Sequence, residues 1–203
     1  GIPKVLTHVG TPLVVLHLFS GIRRGGDYHW WLEDLAPRFG LELIVIDVDM
    51  AVDPFGDLLN DNLFGWLRSM AWGGWVADVT AGPPCRTWSR VRHRPGGPPP
   101  LRGRVELFGL KHLGAIAKSK CDRDSELYLR TLDVLRGVAS CGGSGRLEHP
   151  IDPGRPPYPS SWLTPQWPWN SVLQLGVLRL TNVCWGPPRT NLPQSATSTA
   201  HLS

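Results

Sequence analysis

The chain has 203 residues, 41% of them apolar, and a formal net charge of +4 at pH 7. That length supports one medium-sized core rather than two domains, and the mildly basic balance permits a nucleic-acid partner without requiring one. No apolar run reaches the ~18 residues that suggest a membrane span, no signal peptide is visible, and the four cysteines, Cys85, Cys121, Cys141 and Cys184, form no CxxC pair. Reduced thiols in an intracellular chain (nucleus in a eukaryote, cytoplasm in a bacterium) are therefore expected rather than a disulfide framework.

Residues 13–19 (LVVLHLF) form a nearly continuous apolar run, which predicts a strand covered on both faces. The turn SGIRRGG follows. Asp27 then caps a predicted helix to Phe39, with Trp30, Trp31, Leu35 and Phe39 as its apolar side and Gly40 as its stop. LELIVID (41–47) reads as a second buried strand, Asn60 to Ala71 as a helix ended by Gly73 and Gly74, and WVADVT (75–80) as a third strand running into AGPPC. Helices are expected over Leu107–Ala117, Ser125–Val138 and 168–175, and strands over 145–149 (GRLEH) and 177–185 (VLRLTNVCW). Alternating strands and helices imply an α/β fold with a mostly parallel sheet flanked by helices, in one domain over 1–186. The Pro/Gly clusters at 95–103, 150–159 and 186–193 read as loops, and 187–203 as a disordered Ser/Thr-rich tail. The ten tryptophans are expected in the core or between helices.

In open α/β sheets, ligands lie beyond the carboxyl ends of the strands. Four features fall there: Gly21 after the first strand, Asp47 and Asp49 ending the second, Gly82 to Cys85 after the third, and Glu148 ending a later one. A glycine turn lets a ligand approach the backbone near a helix N-terminus, and an acid ending strand two can accept from ribose hydroxyls. Cys85 leaves its strand on a stiff Pro83-Pro84 loop, with Arg86, Arg90, Arg92 and Arg94 close behind. Positive charge nearby favours the thiolate, which is the nucleophilic form.

These segments resemble the cytosine-C5 DNA methyltransferases. LHLFSG (16–21) is similar to the first motif of that family, which holds the methionine part of the cofactor, so Phe19, Ser20 and Gly21 are expected to line its site. IDVD (46–49) resembles the second, with Asp47 as the ribose-binding acid and Asp49 beside it. GDL (56–58) is similar to the third, with Asp57 on the adenine. AGPPCRTWS (81–89) resembles the Pro-Cys nucleophile loop, with Pro83 against the cofactor, and RLEHP (146–150) resembles the Glu-Asn-Val motif, with Glu148 as the catalytic acid. The resemblance covers roughly residues 13–150. It implies a Rossmann-like methyltransferase fold, S-adenosylmethionine as cofactor and DNA as partner. The pattern departs at His17, which stands where an Asp is usual, at Arg23 and Arg24, which stand where a Gly-x-Gly-Gly pattern would lie, and at His149-Pro150. Arg179 is a weak counterpart of a later arginine strand, and there is no room for a full target-recognition domain. Because the chain starts at Gly1, further domains of a longer chain are expected partners.

The chemistry so implied asks for a Cys85 thiolate that attacks C6 of cytosine and a Glu148 carboxyl that holds or protonates N3. Arginines are expected to lower the thiol pKa and burial to raise the carboxyl pKa. A base inside a duplex is out of reach, so it must be flipped or single-stranded. Six arginines lie between 86 and 104 with no acid among them: Arg86, Arg90, Arg92, Arg94, Arg102 and Arg104. They are expected to grip phosphates, helped by Ser89. Four other readings compete: a catalytically inactive module of the same fold, an amino-methyltransferase, a zinc site built from Cys121, Cys141, His149 and Cys184, and a Cys85–His93 hydrolase.

Overall fold

The computed structural model describes residues 11–165 and the backbone of 178–181. Strands β1 (Leu13–Leu18), β2 (Leu43–Val48), β3 (Val76–Ala81) and β4 (Ser144–Glu148) form an all-parallel sheet. The segment β5 (Leu178–Thr181) pairs parallel with β4, giving the order β2-β1-β3-β4-β5. The fold is α/β, and its order is compatible with a Rossmann-like fold. The chain moves one way from β1 to β2 and the other way from β1 to β3, so a topological switch point lies between β1 and β3.

β1 is interior, between β2 and β3, and its consecutive Val15 and Leu16 are both buried, as a strand covered on two faces requires. β2 was expected to be equally buried, yet it is the sheet edge. Ile44 is 49% exposed there, because an apolar run cannot reveal which strand ends a sheet.

Helix α1 (Tyr28–Leu35) starts where expected, with the Asp27 carboxylate accepting from the Trp30 N–H at 2.7 Å. It ends early. Pro37 forces residues 36–39 into a tight 3-10 turn, and Gly40 closes it at φ 65°. The expected apolar side of this helix is not buried: Trp30, Trp31, Leu35 and Phe39 are all exposed, Phe39 to 75%. Of the other tryptophans, Trp66, Trp72 and Trp75 are exposed too, whereas Trp88 is core.

Helix α2 (Asp61–Trp72) is capped by the Asn60 side chain and packs on helix α3 (Ala115–Ser140). Gly137 permits close approach, since a Cβ there would lie 2.8 Å from the Trp72 ring. α3 corrects the expectation of two helices at 107–117 and 125–138. Residues 107–114 are turns, with Gly109 at φ 123°, far from helical. The charged run 118–124, between the two expected helices, continues the helix, because it contains no Gly or Pro. The stripe Tyr128, Leu132, Leu135 and Val138 meets Leu16, Val79 and Leu147 of the sheet and Leu67 of α2 in the core. Each such leucine contributes about 2 kcal/mol. The expected helix at 168–175 lies outside the described residues, as does the expected tail at 187–203, and of the strand expected at 177–185 only Leu178–Thr181 is described. Among the described residues no helix is long and apolar enough to cross a membrane.

Candidate active site

A cavity of about 570 Å³ opens at the switch point, between the carboxyl ends of β1 and β3. Its wall includes Phe19, Ser20 and Gly21 after β1, Pro83 and Cys85 after β3, and Glu148 at the end of β4. The turn at its rim is open: Cβ atoms added at Gly21, Gly25 or Gly26 would meet nothing within 4 Å. Phe19 has φ 61°, a strained conformation for a residue with a Cβ, held by its N–H on the Val48 carbonyl at 2.7 Å. Gly21, at φ 69°, donates its N–H to Asp49 at 2.9 Å. Thus Asp49 does not line the cavity. It fixes the turn that does, while its second oxygen accepts from Ala51 N–H at 2.7 Å.

The structure does not bring Asp47 to the wall. In register with His17 on β1, it lies between two imidazoles, with His17 Nδ1 and His29 Nδ1 3.1 and 2.5 Å from its two oxygens. His17 is in the wall, and Asp47, the expected ribose acid, pairs with it from outside the lining. Asp57 is also away from the cavity. It accepts from Leu59 N–H at 3.0 Å and faces Arg123 at 3.6 Å.

Cys85 and Glu148 share the wall. The Glu148 carboxylate lies 3.9 Å from where a Gly82 Cβ would be, so the glycine leaves room for it. Glu148 is exposed and makes no ion pair among the described residues. Its neighbour Arg146 turns instead to Asp78 at 2.7 Å and to the Tyr28 hydroxyl at 2.9 Å. The expected burial of Glu148 is therefore absent. The expectation for Cys85 is reversed as well. Burial first, then the charges of Glu148 and Asp124, push its thiol above the usual range.

The reason lies in the arginines. Arg86 forks onto Asp124 with contacts of 3.1 and 3.3 Å, so its charge is matched before it reaches the sulfur. Arg92 donates to the carbonyls of Arg86 and Pro99 at 2.7 and 3.0 Å. Arg104 pairs with Asp152 at 2.7 Å. Arg102 is no surface cation at all. It is fully buried, 4.0 Å over the Trp88 ring, and donates to the carbonyls of Leu107 and Cys121 at 2.6 and 2.7 Å. Burial pushes its pKa down to about 10. Among the described residues only Arg90 and Arg94 of the six are exposed with no side-chain partner. Ser89 caps the 3-10 turn of 90–93, accepting from Val91 N–H at 3.3 Å.

Two residues anchor the nucleophile loop: Asp124, for which the sequence suggests no role, and His149, which it offers only as a zinc ligand and as a departure from the motif. Asp124 of α3 holds Arg86 and Thr87. It falls in the buried stripe three residues after Cys121 and four before Tyr128, a spacing that marks it once α3 is read as one helix. His149 is 2% exposed, packs between Trp88 and Tyr128, and holds Ser161 at 2.6 Å through Nδ1. Burial, with Arg102 adding to it, lowers its pKa to about 3.

The competing sites lose support. Cys121 and Cys141 stand twenty residues apart along α3, roughly 30 Å, and Cys184 lies outside the described residues. No group of three or more His, Cys, Asp or Glu could hold a metal among the described residues. His93 packs on Tyr158 at 5.4 Å and is absent from the wall that carries Cys85. Comparisons with family models, with curated proteins and with solved structures found no match to this chain.

Proposed function

We propose that this chain is an S-adenosylmethionine-dependent methyltransferase domain that modifies C5 of cytosine in DNA through a covalent Cys85 adduct. The observation that carries the reading is the sharing of one cavity wall by Cys85, Glu148 and the Gly21 turn, at the switch point of the sheet. Ligands of such sheets bind there, and about 570 Å³ suits a nucleoside-sized ligand. Phe19, Ser20, Gly21 and Pro83 would hold the cofactor, which supplies an electrophilic methyl on a sulfonium when bound.

The chain's own residues do the rest. Cys85 gives its proton to solvent, its thiolate bonds to C6 of the ring, and the π electron pair of that ring carbon moves toward N3. Glu148, with no ion pair among the described residues, hydrogen-bonds or protonates N3 and stabilises that charge. C5 is then electron-rich enough to accept a methyl group. Loss of the C5 proton to a base expels the Cys85 thiolate and restores the ring. The target base must leave its stack, and Arg90 and Arg94, beside the nucleophile loop and without a side-chain partner among the described residues, are placed to meet phosphates.

One observation favours a second reading, a catalytically inactive module that keeps the fold and its ligand. Burial, then the charges of Glu148 and Asp124, push the Cys85 thiol up rather than activating it. Transfer of labelled methyl from S-adenosylmethionine to cytosine-containing DNA separates the two. Incorporation by the unaltered chain, abolished in Cys85→Ser, is expected. Cofactor binding without incorporation would favour the inactive module, and incorporation that survives the substitution would remove Cys85 from the chemistry.

A further inference from the structure

We infer that His17 is the base of this site, the group whose Nε2 takes the proton that leaves C5 of the cytosine. The inference rests on the methyl-transfer reading above and supplies the proton acceptor that its last step requires. His17 belongs to the cavity wall. Its backbone lies between Asp47 of β2 and Thr80 of β3 in the sheet, so the ring is what it shows to the cavity, and the side chain is 13% exposed. Nδ1 lies 3.1 Å from the Asp47 carboxylate. A carboxylate only accepts hydrogen bonds, so Nδ1 carries the proton and Nε2 keeps its lone pair. Nε2 makes no hydrogen bond among the described residues and is not a buried atom.

The ring is also held in place. Tyr28 of α1 meets it edge-on, with centroids 5.2 Å apart and planes at 72°. Asp47 is itself fixed by His29 Nδ1 at 2.5 Å and faces Arg23 at 3.9 Å. An imidazole oriented by a carboxylate, with its second nitrogen open, is the arrangement of a general base. No other titratable side chain of the wall is so placed. Asp27 is committed to the N–H groups of Arg24 and Trp30 at 2.8 and 2.7 Å. The Tyr28 hydroxyl donates to Asp78 at 2.7 Å and accepts from Arg146 at 2.9 Å. His149 holds Ser161 through Nδ1, and its Nε2 is buried. Glu148 serves N3, and Cys85 is the leaving group.

The step balances within the chain. Once C5 carries the methyl group, the Nε2 lone pair takes the C5 proton. The electron pair of the C5–H bond becomes the C5=C6 double bond, and the C6–S bond breaks with its electrons returning to Cys85 as thiolate. His17 is left as an imidazolium, whose charge the Asp47 carboxylate offsets, and it then gives the proton to solvent.

The test follows tritium at C5 of cytosine in single-stranded DNA, incubated with S-adenosylmethionine and the full chain or its His17→Gln and Asp47→Asn variants, with circular dichroism to check folding. The unaltered chain is expected to release the tritium to water. His17→Gln is expected to release it at least about a hundredfold more slowly and to accumulate a denaturant-stable protein–DNA adduct that carries labelled methyl, which a variant that merely failed to fold would not form. Asp47→Asn, which no longer fixes the tautomer, is expected to slow release about tenfold or more. Release by His17→Gln at the unaltered rate, or slow release without the adduct, overturns His17 as the base and leaves the methyl-transfer reading intact. Unchanged release by Asp47→Asn overturns the orienting role of that carboxylate. Neither tritium release nor methyl incorporation by the unaltered chain overturns the methyl-transfer reading, and the base with it.

Discussion

Thr87 Oγ1 donates to the Asp124 carboxylate at 2.9 Å, and neither residue is more than 1% exposed. The same carboxylate holds Arg86, so one acid of α3 fastens the two residues that follow Cys85. Asp124→Ala strips a buried hydroxyl of its acceptor and frees an arginine. It is expected to cost about 2–3 kcal/mol in urea unfolding, with Asp124→Asn losing less. A stability unchanged in Asp124→Ala would mean that the loop is held elsewhere.

The same residue influences the thiol. Glu148 and Asp124 both add negative charge that raises the Cys85 pKa on top of burial. Alkylation of Cys85 by iodoacetamide, followed on its own peptide by mass spectrometry, is expected to be slow at pH 7.5 and to accelerate only above pH 9. Glu148→Gln removes one repelling charge, so its alkylation profile moves to lower pH. A profile that stays in place, or moves up, contradicts the closeness of the two groups.

His149 makes stability depend on acidity. Its pKa in the folded chain is lowered to about 3 from 6.5, so between these values the unfolded chain binds a proton that the folded chain refuses. Stability therefore rises with pH through this window and is lost as pH falls below about 6.5. At pH 5 the loss is about 2 kcal/mol. Denaturation curves from pH 5 to 7 in the unaltered chain and in His149→Leu isolate the effect, since the leucine variant should have a flatter slope. Parallel slopes would show that the imidazole titrates normally.

Nucleic-acid affinity should divide the arginines. Arg90→Ala and Arg94→Ala are expected to weaken DNA binding across sequences and to reduce the salt slope by about 1 each, with folding unaffected. Arg102→Ala should act oppositely. It leaves the carbonyl of Leu107 without its Arg102 donor, takes one of two side-chain donors from the carbonyl of Cys121 and uncovers the Trp88 face, lowering stability by about 3 kcal/mol or more. Filter binding at several salt concentrations, beside thermal melts, distinguishes the two effects. An Arg102→Ala chain as stable as its parent would place that side chain back on the surface.

Much of the scaffold is a local property of the chain and can be read from it. The apolar run of β1, the Asp27 and Asn60 caps, the Gly40 stop and the cysteine leaving β3 after two prolines each depend on a few neighbouring residues. So does the placing of Gly21, Cys85 and Glu148 at strand ends, from which their convergence follows once the sheet is parallel. Strand order is not local. Only the packed sheet makes β2 an edge, exposes the α1 tryptophans and puts the cavity between β1 and β3. Charge pairing is not local either. A run of arginines looks like one basic patch in sequence, but long flexible side chains reach partners tens of residues away. Asp124 takes Arg86, Asp152 takes Arg104, and the Trp88 face takes Arg102. The fields at Cys85 and Asp47 are sums over such distant neighbours, which is why the folded chain reverses the expected thiol shift and removes the expected ribose acid from the wall.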